Sequence, residues 1–265
     1  MATARTVWKG SIQASVLMFP IKFYNAINKS DGVHFNQLCP DCHIKIKQSM
    51  ACPSCSKALT KSEVLHGYPI GEQFVILSDE EIDQAHKEKV ENIPILNFVD
   101  QGEINLLYND EPYFITPDKA GQDIFQIFRQ SLVETNKTAL GKIILRPKEH
   151  LIDIAPFPGS NILIGYGLRF HEDLKALTDI PNYDFTQKQI DPEMMKLAKQ
   201  LVTNLSGKFE PEKYRDEYKE IIMATVEAKS KGIVIQTNPK KEMAKVTNLM
   251  DALKQAVTQT AQATA

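Results

Sequence analysis

The four cysteines of this chain fall within residues 39–55 and form two matched pairs, Cys39-Pro-Asp-Cys42 and Cys52-Pro-Ser-Cys55. A tetrahedral metal ion needs two pairs of thiolates, and a two-residue spacing lets each pair span one edge of the tetrahedron. Proline after the first cysteine of each pair restricts the backbone and stiffens the turn. Because four sulfur ligands leave no open position, we predict that these cysteines bind one structural Zn²⁺.

Redox-active dithiols and unliganded thiols are the alternatives for the same four residues. A redox-active CxxC is expected at the strand-to-helix turn of a βαβ unit, and the sequence suggests no such unit. His43 adjoins Cys42 and is interpreted as a surface residue rather than a ligand. The N-terminus lacks a secretory signal and no apolar run is long enough to span a membrane, so we expect a cytoplasmic protein with no membrane partner.

Lysines surround the cysteine pairs, and we call residues 39–61 the finger. The chain has a net charge of −2, but the charge is segregated. Lys and Arg outnumber Asp and Glu by six in residues 1–61 and are outnumbered by eleven in residues 62–135. A basic segment of this kind predicts contacts with phosphate groups. The alternative is a solvated basic face balanced by an acidic one.

Motifs for phosphate loops, dinucleotide binding, zinc proteases and serine hydrolases are absent from the sequence. The two glycines of Gly165-Tyr-Gly167 are interpreted as a bulge or a close approach of two backbones. The other histidines show no ligand or triad spacing. We therefore predict that the protein is not an enzyme.

The elements that position these residues are mainly short strands in the N-terminal part of the chain. Pro20 separates the apolar run 16–19 from the segment after it. So many short strands at close spacing indicate a barrel or a sandwich. The strand candidates are Val7–Ile12, Ile21–Tyr24, Val33–Leu38, Phe74–Leu77, Ile93–Val99, Asn105–Tyr108, Tyr113–Thr116, Leu140–Leu145, Leu151–Ile154 and Asn161–Phe170.

Helices are predicted at four places before the C-terminal segment. Ser78 and Glu81 have capping-box spacing, and residues 121–135 carry an apolar face. Asp191-Pro192 is a good helix start for the stripe Met194–Leu205, which we interpret as core. A further helix is predicted from Pro211 to Gly232.

The last predicted helix follows a linker at residues 232–241. Because it has no obvious fold to join, its apolar face is interpreted as a docking surface for a partner, although a core stripe would look alike. The residues from Thr258 onward are expected to fray. The docking candidates are Val246, Leu249, Met250, Leu253 and Val257.

Many blocks of the sequence, spread in order over residues 5–232, resemble the bacterial Ku family. The blocks that carry the resemblance are Trp8–Ile12, Phe19–Tyr24, Val33–Leu38, Gly67-Tyr68, Phe74–Asp79, Tyr113–Gly121, Thr135–Leu140, Phe209–Tyr218 and Glu227–Lys229. The resemblance implies a homodimeric ring that threads onto ends of double-stranded DNA and recruits a DNA ligase in non-homologous end joining.

The resemblance also implies an α+β fold with a β-barrel core in residues 1–185. Its bridge arm corresponds to about residues 35–68 and includes the zinc hairpin 39–55. Residues 186–232 would form the helical part of the core, and residues 233–265 the linker and the helix that docks an ATP-dependent ligase of the ligase D type. The chain departs from most members of the family in its four cysteines and in lacking a lysine-rich tail. A nucleoid-associated location in the cytoplasm follows.

A ring of this kind would bind DNA through cations on its inner wall, which read no base sequence. For each cation, an ordinary surface position is the alternative. The candidates are Lys9, Lys22, Lys29, Lys45, Lys47, Lys57, Lys61, Lys137, Lys142, Arg146 and Arg169. Two other classes of protein stay open: a zinc-ribbon adaptor that binds protein or single-stranded nucleic acid, and a metal-dependent enzyme.

Overall fold

The structure is a computed structural model that describes residues 4–28, 32–85, 91–145, 148–186, 189–232 and 249–263. The chain divides into two compact units. One contains residues 1–31 and 35–176, and the other contains residues 32–34 and 177–265. The first unit is a β-barrel with helices and the second is helical, so the α+β class predicted from the sequence is confirmed.

Seven strands of the first unit close into a barrel in the order β1-β2-β8-β11-β10-β9-β7. Neighbours are antiparallel except β1 and β7, whose parallel pairing closes the barrel through Ser11–Asn92, Ile12–Ile93 and Gln13–Pro94. Closure leaves the barrel itself without an edge strand. The strands are β1 (Thr6–Ala14), β2 (Leu17–Asn25), β7 (Asn92–Asp100), β8 (Asn109–Pro117), β9 (Lys137–Leu145), β10 (Lys148–Pro156) and β11 (Leu163–Leu168).

The barrel core is apolar and comes from alternate positions of the strands, because successive side chains point to opposite faces. Phe19, Ile21 and Phe23 on β2 are fully buried, whereas Lys22 between them points outward. The other large side chains with almost no exposure are Ile12, Ile93, Ile115, Ile143, Ile152, Ile154 and Leu163. Because one face of each strand is buried in the core, the charged side chains lie on the opposite, outward face.

Helix α2 (Gln122–Thr135) packs its apolar face on this core, as the sequence predicts. Phe19 contacts both Phe125 and Phe128 of the helix, with ring centroids 6.3 and 5.2 Å apart. The helix ends at Asn136, which adopts a left-handed conformation and donates its N–H to the carbonyls of Leu132 and Val133. Such a residue is a common helix stop.

The chain between β2 and β7 leaves the barrel and contains the finger. Two-residue strands β3 (Met50–Ala51) and β4 (Ala58–Leu59) pair with each other. Strands β5 (His66–Ile70) and β6 (Gln73–Leu77) then form a ribbon, followed by α1 (Asp79–Ala85). Ser78 and Glu81 make the predicted capping box: the Ser78 N–H donates to Glu81 and the Glu81 N–H donates to the Ser78 hydroxyl, at 2.9 and 3.2 Å.

The second unit contains α3 (Pro192–Leu205), α4 (Glu217–Ser230) and α5 (Leu249–Ala263). Asp191 caps α3 as predicted, since its Oδ1 accepts the N–H groups of Glu193 and Met194 at 2.7 and 3.1 Å. Helix α4 starts later than predicted, because residues 211–213 form a 3-10 turn. The predicted linker lies outside the described residues, apart from Gly232 itself.

Four predictions about strands and helix ends are wrong. Residues 33–37 form no strand, and residues 106–108 form a 3-10 turn. Pro20 lies inside β2, because at this position β2 pairs with β1 alone, and pairing with β8 starts at Ile21. Helix α5 continues to Ala263 instead of fraying at Thr258.

Gly165 and Gly167 of β11 occupy different environments. A Cβ at Gly165 would lie 2.9 Å from Ile152 and 3.0 Å from Ile115. The register of β11 and β8 shifts between Tyr166 and Leu168. The bulge is therefore confirmed, whereas the close neighbours of Gly165 are isoleucine side chains and not a second backbone. In the described part of the chain, no helix has the length and apolar character to cross a membrane.

Candidate functional site

The two cysteine pairs form two turns of the same geometry, which we call the knuckles. In the first, the Cys39 N–H donates to the Ile44 carbonyl and the His43 N–H donates to the Cys39 carbonyl, both at 2.9 Å. In the second, the Cys52 N–H donates to the Lys57 carbonyl at 3.0 Å and the Ser56 N–H to the Cys52 carbonyl at 2.9 Å.

His43 and Ser56 occupy equivalent positions after the second cysteine of each knuckle. Both have positive φ angles, 53° and 57°, a conformation that non-glycine residues adopt at some cost. The two CPxC turns thus share their hydrogen-bond pattern and the left-handed residue that follows the second cysteine. His43 is exposed, in agreement with its interpretation as a surface residue.

Each knuckle directs backbone N–H groups at the first of its two sulfur atoms. The N–H groups of Cys42 and Asp41, and then the Cys42 side chain, lower the pKa of the Cys39 thiol. The N–H groups of Cys55 and Ser54, and then the Cys55 side chain, lower the pKa of the Cys52 thiol in the same way. Both effects favour the thiolate, which is the form that binds metal ions.

The residues of each knuckle fit half of a tetrahedral sulfur site, because two adjacent sulfur atoms are held in a turn that favours thiolate. Among the described residues, however, no three His, Cys, Asp or Glu side chains form a group that could hold a metal ion. The structure thus brings together the members of each pair and does not join the two pairs. The predicted zinc site stays a prediction.

The finger lysines are exposed. Lys57 lies 3.5 Å from a carboxylate oxygen of Glu63. The three other lysines make no ion pair with any residue that the structure describes. They are Lys45, Lys47 and Lys61.

Four cations of the barrel are paired, in contrast to Lys45, Lys47 and Lys61. The charged nitrogens of Lys22, Lys137, Lys142 and Arg169 lie 2.6–3.0 Å from carboxylate oxygens. Their partners are Asp118, Asp100, Glu149 and Asp110, respectively.

Arg169 has a second contact, and a fifth barrel cation, Lys9, differs from the four paired ones. Arg169 also donates to the Asn109 carbonyl at 2.7 Å. Lys9 is exposed, pairs in register with Lys22, and makes no ion pair within the described part of the chain. The two other predicted DNA contacts, Lys29 and Arg146, lie outside the described residues.

The ribbon of β5 and β6 is a feature that the sequence analysis missed in part, because β5 was not predicted as a strand. All ten of its residues are exposed. Tyr68 and Val75 form a cross-strand pair, and Phe74 pairs with Pro69. Since side chains alternate along a strand, both faces of the ribbon present apolar groups to solvent. The apolar run Phe74–Leu77 was the feature of the sequence from which the ribbon could have been predicted.

The predicted docking residues lie on α5, which packs against α3 within the second unit. Val257 is 8% exposed, whereas Leu249 is 62% exposed. Asn204 of α3 donates to the Val257 carbonyl at 3.4 Å and contacts the Thr260 hydroxyl at 3.2 Å. The premise that this helix has no fold to join is therefore wrong, although the docking role stays a prediction.

The remaining docking candidates are less clearly exposed. Met250 and Leu253 are half-buried, and Val246 lies outside the described residues. The Met194–Leu205 stripe faces α5 and is half-buried rather than fully buried, with Val202 and Leu205 exposed. The face that this helix pair leaves open thus includes Leu249 but not Val257.

The fold defines the class of protein: a closed seven-stranded β-barrel in which a long segment is inserted between β2 and β7, its next barrel strand. Residues 13–197 match the family model described as the Ku70/Ku80 beta-barrel domain. The chain belongs to the Ku family.

Proteins similar to this chain carry the name non-homologous end joining protein Ku. The one from Archaeoglobus fulgidus is 31% identical over 251 residues, which cover 94% of this chain and 97% of the relative. The one from Pseudomonas syringae pv. tomato is 30% identical over 256 residues, covering 94% and 84%. The one from Desulfitobacterium hafniense is 29% identical over 260 residues, covering 97% and 88%.

Proposed function

We propose that this protein binds the ends of double-stranded DNA in non-homologous end joining, as a homodimeric ring and without catalysis. The observation that carries the proposal is the contrast between the finger lysines and the barrel cations. Lys45, Lys47 and Lys61 have no carboxylate partner among the described residues, so their charge is available to phosphates. The names of the similar proteins agree with this role.

The mechanism follows from charge and topology. Phosphate contacts carry no base information, so binding is independent of DNA sequence and weakens as salt rises. A closed ring admits DNA only at a free terminus, and this restriction gives the preference for ends. Lys9 and the finger lysines are the contacts that the geometry favours, whereas the paired barrel cations contribute less.

A second copy of the chain is the partner that completes the ring. The exposed ribbon supports this part of the proposal, because Tyr68 is 65% exposed and Phe74 is 71% exposed on opposite faces. Contiguous exposed apolar groups mark interaction surfaces. The second unit exposes a similar set around α4: Phe209, Tyr214, Tyr218, Ile221, Met223 and Val226.

A structural Zn²⁺ held by Cys39, Cys42, Cys52 and Cys55 is part of the proposal. The donor set and the two matching knuckles support it. Joining the knuckles would stiffen the finger and hold its lysines in one arrangement. The finger needs such support, because two-residue strands without a buried side chain do not make a stable hairpin alone.

A ligase of the ligase D type is the proposed enzymatic partner, with Leu249 on the open face of α5 as its contact. Because Val257 is buried against α3, it would support the docking surface rather than touch the ligase. A cytoplasmic, nucleoid-associated location follows from the proposed substrate.

The decisive experiment compares linear duplex DNA with a covalently closed minicircle of the same sequence. We expect tight binding to the linear form and at least tenfold weaker binding to the circle at the same salt concentration. The mass of the free protein, measured by sedimentation, should be that of a dimer. Equal capture of circles would overturn the ring and favour the adaptor class. A monomer would also contradict the proposal.

A further inference from the structure

Three lysines lie beside one carboxylate where β1 and β2 meet the turn that precedes α2. Lys9 and Lys22 occupy directly opposite positions of the antiparallel β1–β2 pair, so their side chains leave the same face of the barrel about 5 Å apart at Cβ. Nζ of Lys22 lies 3.0 Å from Oδ2 of Asp118. Lys119 donates its backbone N–H to Oδ1 of the same carboxylate at 2.6 Å. We call these four residues the Asp118 cluster.

The backbone holds Asp118 in place. Its N–H donates to the Pro20 carbonyl at 3.0 Å, and its carbonyl accepts the N–H of Gly121 at 2.9 Å. A Cβ at Gly121 would lie 2.7 Å from the Pro20 ring, so this turn packs closely on β2. Lys22 carries its charge on a flexible four-carbon stem. When the ion pair opens, the lysine is therefore the partner that moves.

The Asp118 cluster holds more positive charge than negative charge. Lys9 and Lys119 are exposed, and neither forms an ion pair within the ranges that the structure describes. The hydrogen bond from Lys22, then the Lys119 N–H, and to a smaller extent the charge of Lys9 lower the pKa of Asp118. The carboxylate is thus ionised at neutral pH, yet it compensates only one lysine. A local surplus of cations attracts anions such as phosphate.

We propose that the three lysines of the Asp118 cluster bind the DNA backbone, and that Asp118 occupies the place of a phosphate group on Lys22 until DNA displaces it. The inference rests on the proposed function, because the same duplex supplies the phosphate. Lys119 was not among the contacts predicted from the sequence. The fold brings it to this site through the turn that begins at Asp118.

Exchange of one anion for another limits what this site adds to DNA affinity. Lys22 gives up the carboxylate when it contacts a phosphate, so one ionic contact is lost for each one gained. Ion pairs at a protein surface are weak, and the exchange is therefore accessible. Because the charge of Lys22 is compensated beforehand, its contact adds little to the release of counterions from DNA. Asp118 thus weakens the grip of the barrel on the duplex.

The test is Asp118→Asn in the full chain, titrated with a short linear duplex at several salt concentrations. Asparagine still accepts the Lys119 N–H, so the turn should persist while Lys22 loses its counter-charge. We expect binding about eightfold tighter at 0.1 M salt and a slope of log affinity against log salt steeper by about 0.9, as for one added phosphate contact. Adding Lys22→Gln to this variant should cancel the gain, because no freed lysine remains.

The matched control is Asp123→Asn. Asp123 lies in the first turn of α2, is exposed, and forms no ion pair with any described residue. Its replacement changes the net charge by the same amount without freeing a lysine, so the slope should stay at the wild-type value. Equal effects of the two substitutions would reduce Asp118 to a part of the overall charge and would overturn the proposal. An unchanged affinity in Asp118→Asn would overturn it as well.

Two further variants keep the proposal testable if Asp118→Asn does not fold. Lys9→Gln and Lys119→Gln change exposed side chains, and each should make the slope shallower by about 0.9. A wild-type slope in both variants would remove the cluster from DNA binding. If the wild-type protein bound no duplex at low salt, the proposed function itself would fail. A wild type that binds DNA, with an Asp118→Asn variant that behaves in the same way, would contradict this inference alone.

Discussion

Lys22 on β2 and Asp118, just before α2, form an ion pair with Nζ 3.0 Å from Oδ2. The hydrogen bond from Lys22, followed by that from the Lys119 N–H, lowers the pKa of the Asp118 carboxyl. The Asp118 N–H also donates to the Pro20 carbonyl at 3.0 Å. The lysine therefore joins a strand to the entry of a helix, and its charge is compensated within the protein.

The finger lysines should account for most of the salt dependence of DNA binding. Replacing Lys45, Lys47 and Lys61 by Gln removes three charges without a described ion pair. The slope of log affinity against log salt should become shallower by about 2.7, because each phosphate contact contributes about 0.9. Titration of a short linear duplex at several salt concentrations measures this slope.

A matched triple variant tests whether cations that are already ion-paired contribute to the salt dependence of DNA binding. Replacing Lys22, Lys137 and Lys142 by Gln also removes three charges, each of which has a carboxylate partner. We expect a change in slope of less than about one, since these charges are already compensated. Equal slope changes in the two variants would contradict the assignment of DNA contacts to the finger.

The two glycines of β11 should differ in their tolerance of a methyl group. Gly165→Ala places a Cβ within 3.0 Å of two buried isoleucines. Overpacking of this kind costs about 1–3 kcal/mol, which corresponds to several degrees in the thermal midpoint. Gly167→Ala meets nothing closer than 3.6 Å and serves as the control. Equal midpoints for the two variants in a calorimetric scan would rule out close packing at Gly165.

The buried carboxyl of Asp153 should make stability depend on pH. Burial raises its pKa above the usual range, and its Oδ1 has no hydrogen-bond partner among the described residues. Between the unfolded pKa near 3.9 and the raised folded pKa, the folded state binds more protons, so stability falls as pH rises. The substitution Asp153→Asn should remove this fall in stability with rising pH.

The prediction for Asp153→Asn is a thermal midpoint above that of the wild type at pH 7.5 and a smaller difference at pH 4. Removing the cost of a buried charge is worth on the order of 1 kcal/mol, or about 2–4 °C. Thermal unfolding at four or five pH values measures the difference. A difference that stays constant with pH would show that Asp153 does not titrate in this range.

The two ends of the α5 face should behave differently. Val257→Asp places a charge against α3 and should loosen α5, as measured by faster amide exchange in residues 249–263. Leu249→Asp changes an exposed side chain and should leave exchange unchanged while weakening ligase docking. If Leu249→Asp loosened the helix as much as Val257→Asp, Leu249 would have a packing role instead.

Local patterns in the sequence predict the local structures well. The CPxC spacing gives two knuckles with the same hydrogen-bond pattern, the Ser78–Glu81 spacing gives a capping box, and Asp191 starts α3. These features depend on groups within a few residues of each other, so the sequence contains all the interacting partners. The failure at Pro20 has the opposite cause, because a proline inside a strand depends on which neighbour the strand pairs with at that point.

Tertiary structure alone decides which charges and which faces remain available. Lys22 and Lys45 look alike in the sequence, yet within the described ranges Lys22 meets a carboxylate from a segment far along the chain and Lys45 meets none. Val257 and Leu249 likewise share one amphipathic face in the sequence, but packing against α3 buries only Val257. By itself, the sequence determined the cysteine pairs, the starts of α1 and α3 and most of the barrel strands, since short-range geometry suffices for these. The parallel closure of β1 with β7, the pairing of the barrel cations and the exposed ribbon required the folded chain, because each depends on partners that only long-range packing brings together.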